Sequence, residues 1–160
     1  MKKRSKYRPR RVLLDTMAFV QESLTPVALH DTYLLDLKIV NSMAMASLMK
    51  GTATKRDMDV LVAMSNIVEA LYELGFGRQY QDVATEGRYA ILSIVYRAVE
   101  RLRFVPTGED IKRLNTLMEL HDAQMDAITI ADMERAISLA KRRIAAKDSI
   151  TLPTVPEVLK

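Results

Sequence analysis

Three stretches of this chain carry the same signal for the start of an α-helix. In each, an aspartate follows a threonine by three positions, which is the capping-box pattern with Asp in place of Glu. The three pairs are Thr54 and Asp57, Thr107 and Asp110, and Thr129 and Asp132. After Thr54, apolar residues recur with the 3.6-residue helical period at Val60, Leu61, Met64, Ile67, Val68 and Leu71. These patterns therefore predict a fold in which amphipathic helices pack against one another.

The same reasoning predicts six helical segments in all. They cover residues 12–24, 29–50, the stretch that follows Thr54 and ends at "GFG", 79–103, 108–127 and 130–147. Glycine and proline number only five each, and no strand-like alternation of useful length is present. We expect an all-α fold, a single helical bundle of five or six helices with a flexible basic N-terminal arm. The predicted organisation is a basic arm (1–11), a bundle domain (12–147) and an extended C-terminal tail (148–160).

Apolar stripes predict which faces of two helices enter the core. They are Leu34, Leu37, Asn41, Met45 and Leu48 in one helix, and Ala84, Gly87, Ile91, Ile94, Val95, Ala98 and Leu102 in the other. Gly87 on such a stripe indicates close approach to a neighbouring helix. Asn41 is expected to be buried and to fix register. Five of the ten methionines, Met43, Met45, Met49, Met58 and Met64, are expected mainly to fill the core, with an adaptable protein-binding surface as the alternative.

Several classes of function are disfavoured. The chain has no cysteine, which excludes disulfides and thiolate chemistry and fits a reducing cytoplasm. No apolar run approaches the roughly 20 residues that span a bilayer, so we expect a soluble intracellular protein. Phosphate-binding glycine loops, H-E-x-x-H motifs and nucleophile elbows are absent from the sequence. The adjacent residues His30 and Asp31 are more typical of a helix start than of a catalytic pair. We predict a protein that is not an enzyme and that takes no cofactor.

The stretch "MELHDAQMDAIT" resembles a metal site at first sight. Glu119, Asp122 and Asp126 share one helix face, and hard cations prefer such oxygen ligands. His121 should project about 100° away from Asp122, in line with the apolar stripe of its helix. We therefore predict a solvated acidic face beside a hydrogen-bonded core histidine and no metal site. A metal-dependent enzyme using the three carboxylates is the third-ranked hypothesis.

The charge layout is the main functional lead. Residues 1–11 hold seven basic side chains and no acid, whereas the other 149 residues hold 17 basic and 20 acidic ones. Such an arm can neutralise phosphates, and Tyr7 can stack on a base. The predicted nucleic-acid-binding residues are Lys2, Lys3, Arg4, Lys6, Tyr7, Arg8, Arg10 and Arg11, with a second patch of Lys141, Arg142, Arg143 and Lys147. Arg97, Arg101 and Arg103 suggest a third patch. The alternative is an arm that only solubilises the chain, or that docks on an acidic partner protein or on the acidic body of this chain itself.

Three strings, "KRSKYRPR", "GTATKRDMDVL" and "ELHDAQMDAIT", resemble a group of small uncharacterised helical proteins encoded by tailed bacteriophages and prophages of proteobacteria. The resemblance covers most of residues 3–145. It implies a phage protein made in the bacterial cytoplasm and implies no mechanism.

We consider two functions for this protein. The first is a binding protein whose arm contacts nucleic acid or a nucleic-acid-bound host complex. The second is a stoichiometric inhibitor or adaptor of a host protein that acts through a helical interface, with a homodimer as one possible state.

Overall fold

The computed structural model of the protein describes Leu24 and residues 31–152, with only the backbone described for residues 31–35. Within this part the chain forms five α-helices and no β-strand, so the all-α prediction is confirmed. The helices are α1 (Asp31–Met49), α2 (Lys55–Glu73), α3 (Gln81–Arg101), α4 (Gly108–Ala127) and α5 (Ile130–Ala145), with a 3₁₀ turn (Arg78–Tyr80) before α3. The predicted arm (1–11), the predicted helix at 12–24 and His30 lie outside the described residues.

All three predicted capping boxes are present. At the start of α2, the Asp57 carboxylate accepts from the Thr54 backbone N–H at 2.8 Å, and the Thr54 hydroxyl accepts from the Asp57 N–H at 3.4 Å. The same reciprocal pair opens α4 at Thr107 and α5 at Thr129. Each box satisfies two backbone donors that the first turn of a helix leaves unpaired. The sequence therefore sets where these three helices begin.

Two helices, α1 and α3, end where the backbone becomes left-handed. Gly51 follows α1 with φ of 70°, as expected of a glycine that terminates a helix. Leu102 ends α3 with φ of 54° and is 49% exposed. The prediction that Leu102 continues the apolar face of this helix is therefore wrong. Once the backbone reverses there, Phe104 enters the core instead, with 1% of its surface exposed.

Helix α2 lies at the centre of the packing and contacts each of the other four helices. Helices α1 to α4 are joined by short connections and bury one shared apolar core, which includes Leu48, Leu61, Ile94 and Leu114. Helix α5 packs over the C-terminal ends of α2 and α4. A second apolar cluster forms there from Ala70, Leu71, Met125, Ile128, Met133, Ala136 and Ala140.

The segment after α5 returns to the first core. Residues 148–152 have no regular secondary structure, yet Ile150 is 4% exposed and joins the core of α1 to α4. The buried Asn66 of α2 donates its side-chain amide to the Ile150 carbonyl at 3.0 Å. The described part of the predicted tail therefore packs against the bundle.

The predicted close approach at Gly87 is confirmed. A Cβ atom built on this glycine of α3 would lie 2.7 Å from Leu117 Cδ2 and 2.8 Å from Leu117 Cβ on α4. Such distances are well inside van der Waals contact, and the Leu117 Cβ is fixed to its backbone. The spacing between α3 and α4 at this level therefore depends on the absence of a side chain at position 87.

We predict that Gly87→Ala lowers the free energy of unfolding by about 1–2 kcal/mol. Overpacking a core costs about 1–3 kcal/mol, which outweighs the gain of up to about 1 kcal/mol in helix propensity. Chemical denaturation of both proteins measures the difference. The matched control is Gly108→Ala at the start of α4, where a Cβ would meet no atom within 4 Å. Equal stability of Gly87→Ala and the parent chain would refute the tight contact.

Candidate functional site

The second predicted basic patch lies at the C-terminal end of α5. Lys141, Arg142 and Lys147 are exposed there, and none of them forms an ion pair with a carboxylate in the part of the chain that the structure describes. Arg143 differs, because only 15% of its side chain is exposed. Three of the four residues thus present their charge to solvent.

Arg143 is held by acidic residues of the protein itself. Its guanidinium lies 3.1 Å from Glu69 Oε2 and 2.8 Å from Glu73 Oε1, both on α2, and its Nε donates to the Asp148 carbonyl at 2.9 Å. Glu69 also pairs with Arg88 of α3 at 3.1 Å. This cluster ties the end of α5 to α2 and α3. The charge of Arg143 is therefore used within the fold, and its predicted role toward nucleic acid stays a prediction.

Arg97 does not belong to a surface patch. Its guanidinium forms an ion pair with Asp110, which is 4% exposed, and donates to the Val105 carbonyl at 3.3 Å. It thereby fixes the connection between α3 and α4. Arg101 and Arg103 are exposed. The third basic patch therefore consists of these two residues only. The sequence-based prediction included Arg97 because a count of positive charges does not reveal its partner.

Asp110 serves both the helix cap and the ion pair. Burial raises the pKa of this carboxyl group. The hydrogen bonds from the Thr107 backbone and hydroxyl, together with the Arg97 guanidinium, outweigh that effect and hold the pKa below its ordinary value of 3.8. Asp110 is therefore ionised in the folded protein at neutral pH.

A small polar cavity lies between α1 and α4. Its volume is about 110 Å³, and its lining includes Lys38, Asn41 and Ser42 of α1 with His121 and Asp122 of α4. Asn41 is 7% exposed, so its predicted burial is confirmed, and His121 is 2% exposed. The structure thus gathers three residues that the sequence singled out separately.

His121 is 2% exposed, as its place on the apolar stripe predicts, whereas 46% of the Asp122 side chain is exposed. His121 Nδ1 nevertheless lies 3.8 Å from Asp122 Oδ1, although the two positions are about 100° apart on the helix. That separation is too long for a hydrogen bond, and Nδ1 has no other partner among the residues that the structure describes, so the hydrogen bond predicted for a core histidine is not found there at this atom. The adjacent His121 side chain lowers the pKa of Asp122, partial burial opposes the shift, and Lys38 adds to it.

The three carboxylates of the metal hypothesis do not converge. Glu119 borders an open apolar groove of about 300 Å³ beside Tyr80, Val83 and Ala123, whereas Asp122 borders the polar cavity. Asp126 is exposed and lines neither. Over residues 36–152, whose side chains the structure describes, no group of three or more histidine, aspartate or glutamate side chains is placed to hold a metal ion.

Sequence reasoning missed Lys38 and Ser42. They share the face of α1 that carries Asn41, since residues at i, i+3 and i+4 are neighbours on a helix. Polar residues repeated at that spacing within an apolar helix could have predicted a polar face on α1. The prediction was missed because each position was compared only with the apolar stripe.

Comparisons with known protein families, with curated proteins and with solved structures found no match to this chain. The resemblance to phage-encoded proteins therefore stays a prediction. None of the helices within the described ranges is both long and apolar enough to cross a membrane.

We predict that Asp110→Asn destabilises the protein in a pH-dependent manner. The folded pKa of Asp110 lies below its unfolded value, so its stabilisation is fully present above about pH 4 and is lost as the pH falls through the folded pKa. At neutral pH the variant should lose about 2 kcal/mol, as expected for charge-assisted hydrogen bonds. The deficit should shrink as the solution is acidified.

Denaturation at a series of pH values measures this effect. The matched control is Asp57→Asn, which alters the equivalent capping box at the start of α2. Asp57 has no arginine partner among the described residues. It should cost about 1 kcal/mol, the usual worth of a cap. Equal losses in the two variants would show that the ion pair with Arg97 contributes nothing.

Proposed function

We propose that this chain is a non-enzymatic, phage-type binding protein of the bacterial cytoplasm that contacts nucleic acid or a nucleic-acid-bound host complex. The observation that supports the proposal is the charge arrangement at the end of α5. Lys141, Arg142 and Lys147 are exposed without carboxylate partners in the described chain, while Arg143 between them anchors the helix. The end of α5 thus presents three cations that no acid within the described residues neutralises.

The physical basis is counterion release. Each lysine or arginine that neutralises a phosphate frees condensed counterions, so binding weakens steeply as salt rises. The arm adds seven basic residues to the three at the end of α5, of which Lys141 and Arg142 are on the helix and Lys147 follows it. Because the rest of the chain is slightly acidic, attraction to nucleic acid has to come from these segments and not from overall charge. Phosphate contacts position a protein without reading bases, so we expect sequence-nonspecific binding.

We predict that two changes weaken nucleic-acid binding independently. Deletion of residues 2–11 should cause the larger loss. The triple variant Lys141→Gln/Arg142→Gln/Lys147→Gln should lower the slope of log affinity against log salt by about one for each phosphate that the variant no longer neutralises. Fluorescence anisotropy with labelled single- and double-stranded DNA and RNA, measured over a salt series, gives both quantities.

A matched control removes the same amount of charge from paired cations. Lys55, Arg113 and Arg135 each contact a carboxylate, at 2.7, 3.1 and 3.3 Å respectively. Changing these three to Gln should leave the salt slope unchanged. If deleting the arm changes neither affinity nor slope, the arm is not a nucleic-acid contact and the proposal fails.

The second candidate is an adaptor or inhibitor that acts on a host protein. It is favoured by an exposed face on α3, where Tyr89, Tyr96 and Val99 are 58%, 67% and 45% exposed. These positions lie within about 80° of one another around the helix. Tyrosine is enriched in protein interfaces because it combines a large apolar ring with a hydrogen-bonding group.

For this candidate we predict a host protein that stays bound in stoichiometric amount after nuclease treatment of a bacterial lysate. The variant Tyr96→Lys should lose it. The control variant Tyr80→Lys changes a tyrosine outside this face, 49% exposed and beside the groove at Glu119, and should retain it. Loss of every partner on nuclease treatment would rule out the adaptor function.

A further inference from the structure

Helix α1 is apolar on two opposite faces. Ala44, Met45 and Leu48 face the core, with at most 4% of their surface exposed. On the opposite side, Ile39, Val40 and Met43 are 45%, 46% and 64% exposed. A helix that is apolar all round is normally buried on all sides. The outer face, defined here as Asp36, Ile39, Val40, Met43, Ala46, Ser47 and Lys50, is therefore a candidate contact surface.

The charges on this outer face are placed symmetrically. Asp36 precedes Met43 by seven residues, and Lys50 follows it by seven. Seven residues fall about 20° short of two full turns, so all three positions share one face, and the two charges lie about 21 Å apart. Lys50 continues the helical geometry, since its N–H donates to the Ala46 carbonyl at 3.0 Å. Neither charge has an ion-pair partner among residues 36–152.

Bulky and small side chains also lie at matching distances on the two sides of Met43. Ile39 and Val40 lie four and three positions before Met43 and are branched and bulky. Ser47 and Ala46 lie four and three positions after it and are small. The first half of the outer face therefore projects, and the second half leaves room for a projecting neighbour.

We propose that α1 pairs in antiparallel fashion with α1 of a second copy of this chain, about a two-fold axis at Met43. This arrangement places Asp36 opposite Lys50 of the second copy, twice. It also places Val40 opposite Ala46 and Ile39 opposite Ser47, so large groups meet small ones. A parallel pair would oppose like charges and bulky groups. Symmetry about one residue is what an isologous self-contact requires, and an unrelated partner would not need it.

Charge reversal tests the pairing on the full chain by sedimentation equilibrium. Asp36→Lys and Lys50→Asp should each weaken dimerisation by about tenfold or more, because two attractive pairs become repulsive. The double variant should restore it. A mixture of the two single variants should form a heterodimer, since one copy then carries two positive ends and the other two negative ends.

The position of the axis has its own test. The chain contains no cysteine, so Met43→Cys introduces a single thiol, which should give a disulfide-linked dimer under mild oxidation. Met43→Lys should abolish the dimer without loss of folding, because the site is exposed. The control variants Tyr80→Cys and Tyr80→Lys alter a residue that is 49% exposed just before α3, and they should neither cross-link nor dissociate.

Three results would each overturn the proposal. A protein that stays monomeric at every concentration would show that something other than a second copy covers α1. A dimer unaffected by Met43→Lys would place the interface elsewhere. A dimer that Met43→Lys dissociates, but that the charge reversals leave intact, would refute the antiparallel register. The proposal is independent of nucleic-acid binding, because none of these measurements includes nucleic acid.

Discussion

The fold depends on the burial of α2 by every other described helix. With α2 at the centre, two of its polar residues, Glu69 and Asn66, have partners on other elements and organise its surroundings. Glu69, with 13% of its side chain exposed, forms ion pairs with Arg88 of α3 and Arg143 of α5. Asn66 holds the carbonyl of Ile150. An unpaired charge or amide at these depths would be costly, so these contacts determine how α3, α5 and the segment after α5 are seated.

The same contacts divide the basic residues of the chain into two groups. Arg88, Arg97 and Arg143 hold helices together through ion pairs with Glu69 and Asp110. Lys141, Arg142 and Lys147 lie at the surface without such partners in the described chain. Of these six residues, only the second group has no ion pair in the described chain, so it can exchange its counterions for the phosphates of another molecule without breaking an internal contact. For this reason the proposed function rests on a few named cations and not on the formal net charge of +4.

Local signals in the sequence predicted most of the described architecture. The Thr-x-x-Asp pairs locate helix starts because a cap involves four consecutive residues, and the stripe at Gly87 indicated the contact with α4. One error arose where a distant part of the chain decides. Arg97 looked like surface charge because its partner Asp110 lies 13 residues away. The proximity of His121 Nδ1 to Asp122 Oδ1 was not predicted, because helical position says nothing about side-chain rotamers. The exposed Met43 resembled its buried neighbours because methionine suits both environments.

The contact of Ile150 with the core has a consequence for synthesis on the ribosome. Asn66 and the Ile150 carbonyl that it binds are 84 residues apart. The side-chain amide of Asn66 therefore cannot form this hydrogen bond until α3, α4 and α5 have been synthesised. A nascent chain that already contains α1 to α4 still has a gap in its core. Contacts so distant in sequence close slowly, because loop-closure entropy opposes them. The last step of folding should therefore follow the emergence of Ile150 from the exit tunnel, and until then the intermediate is open to chaperones and proteases.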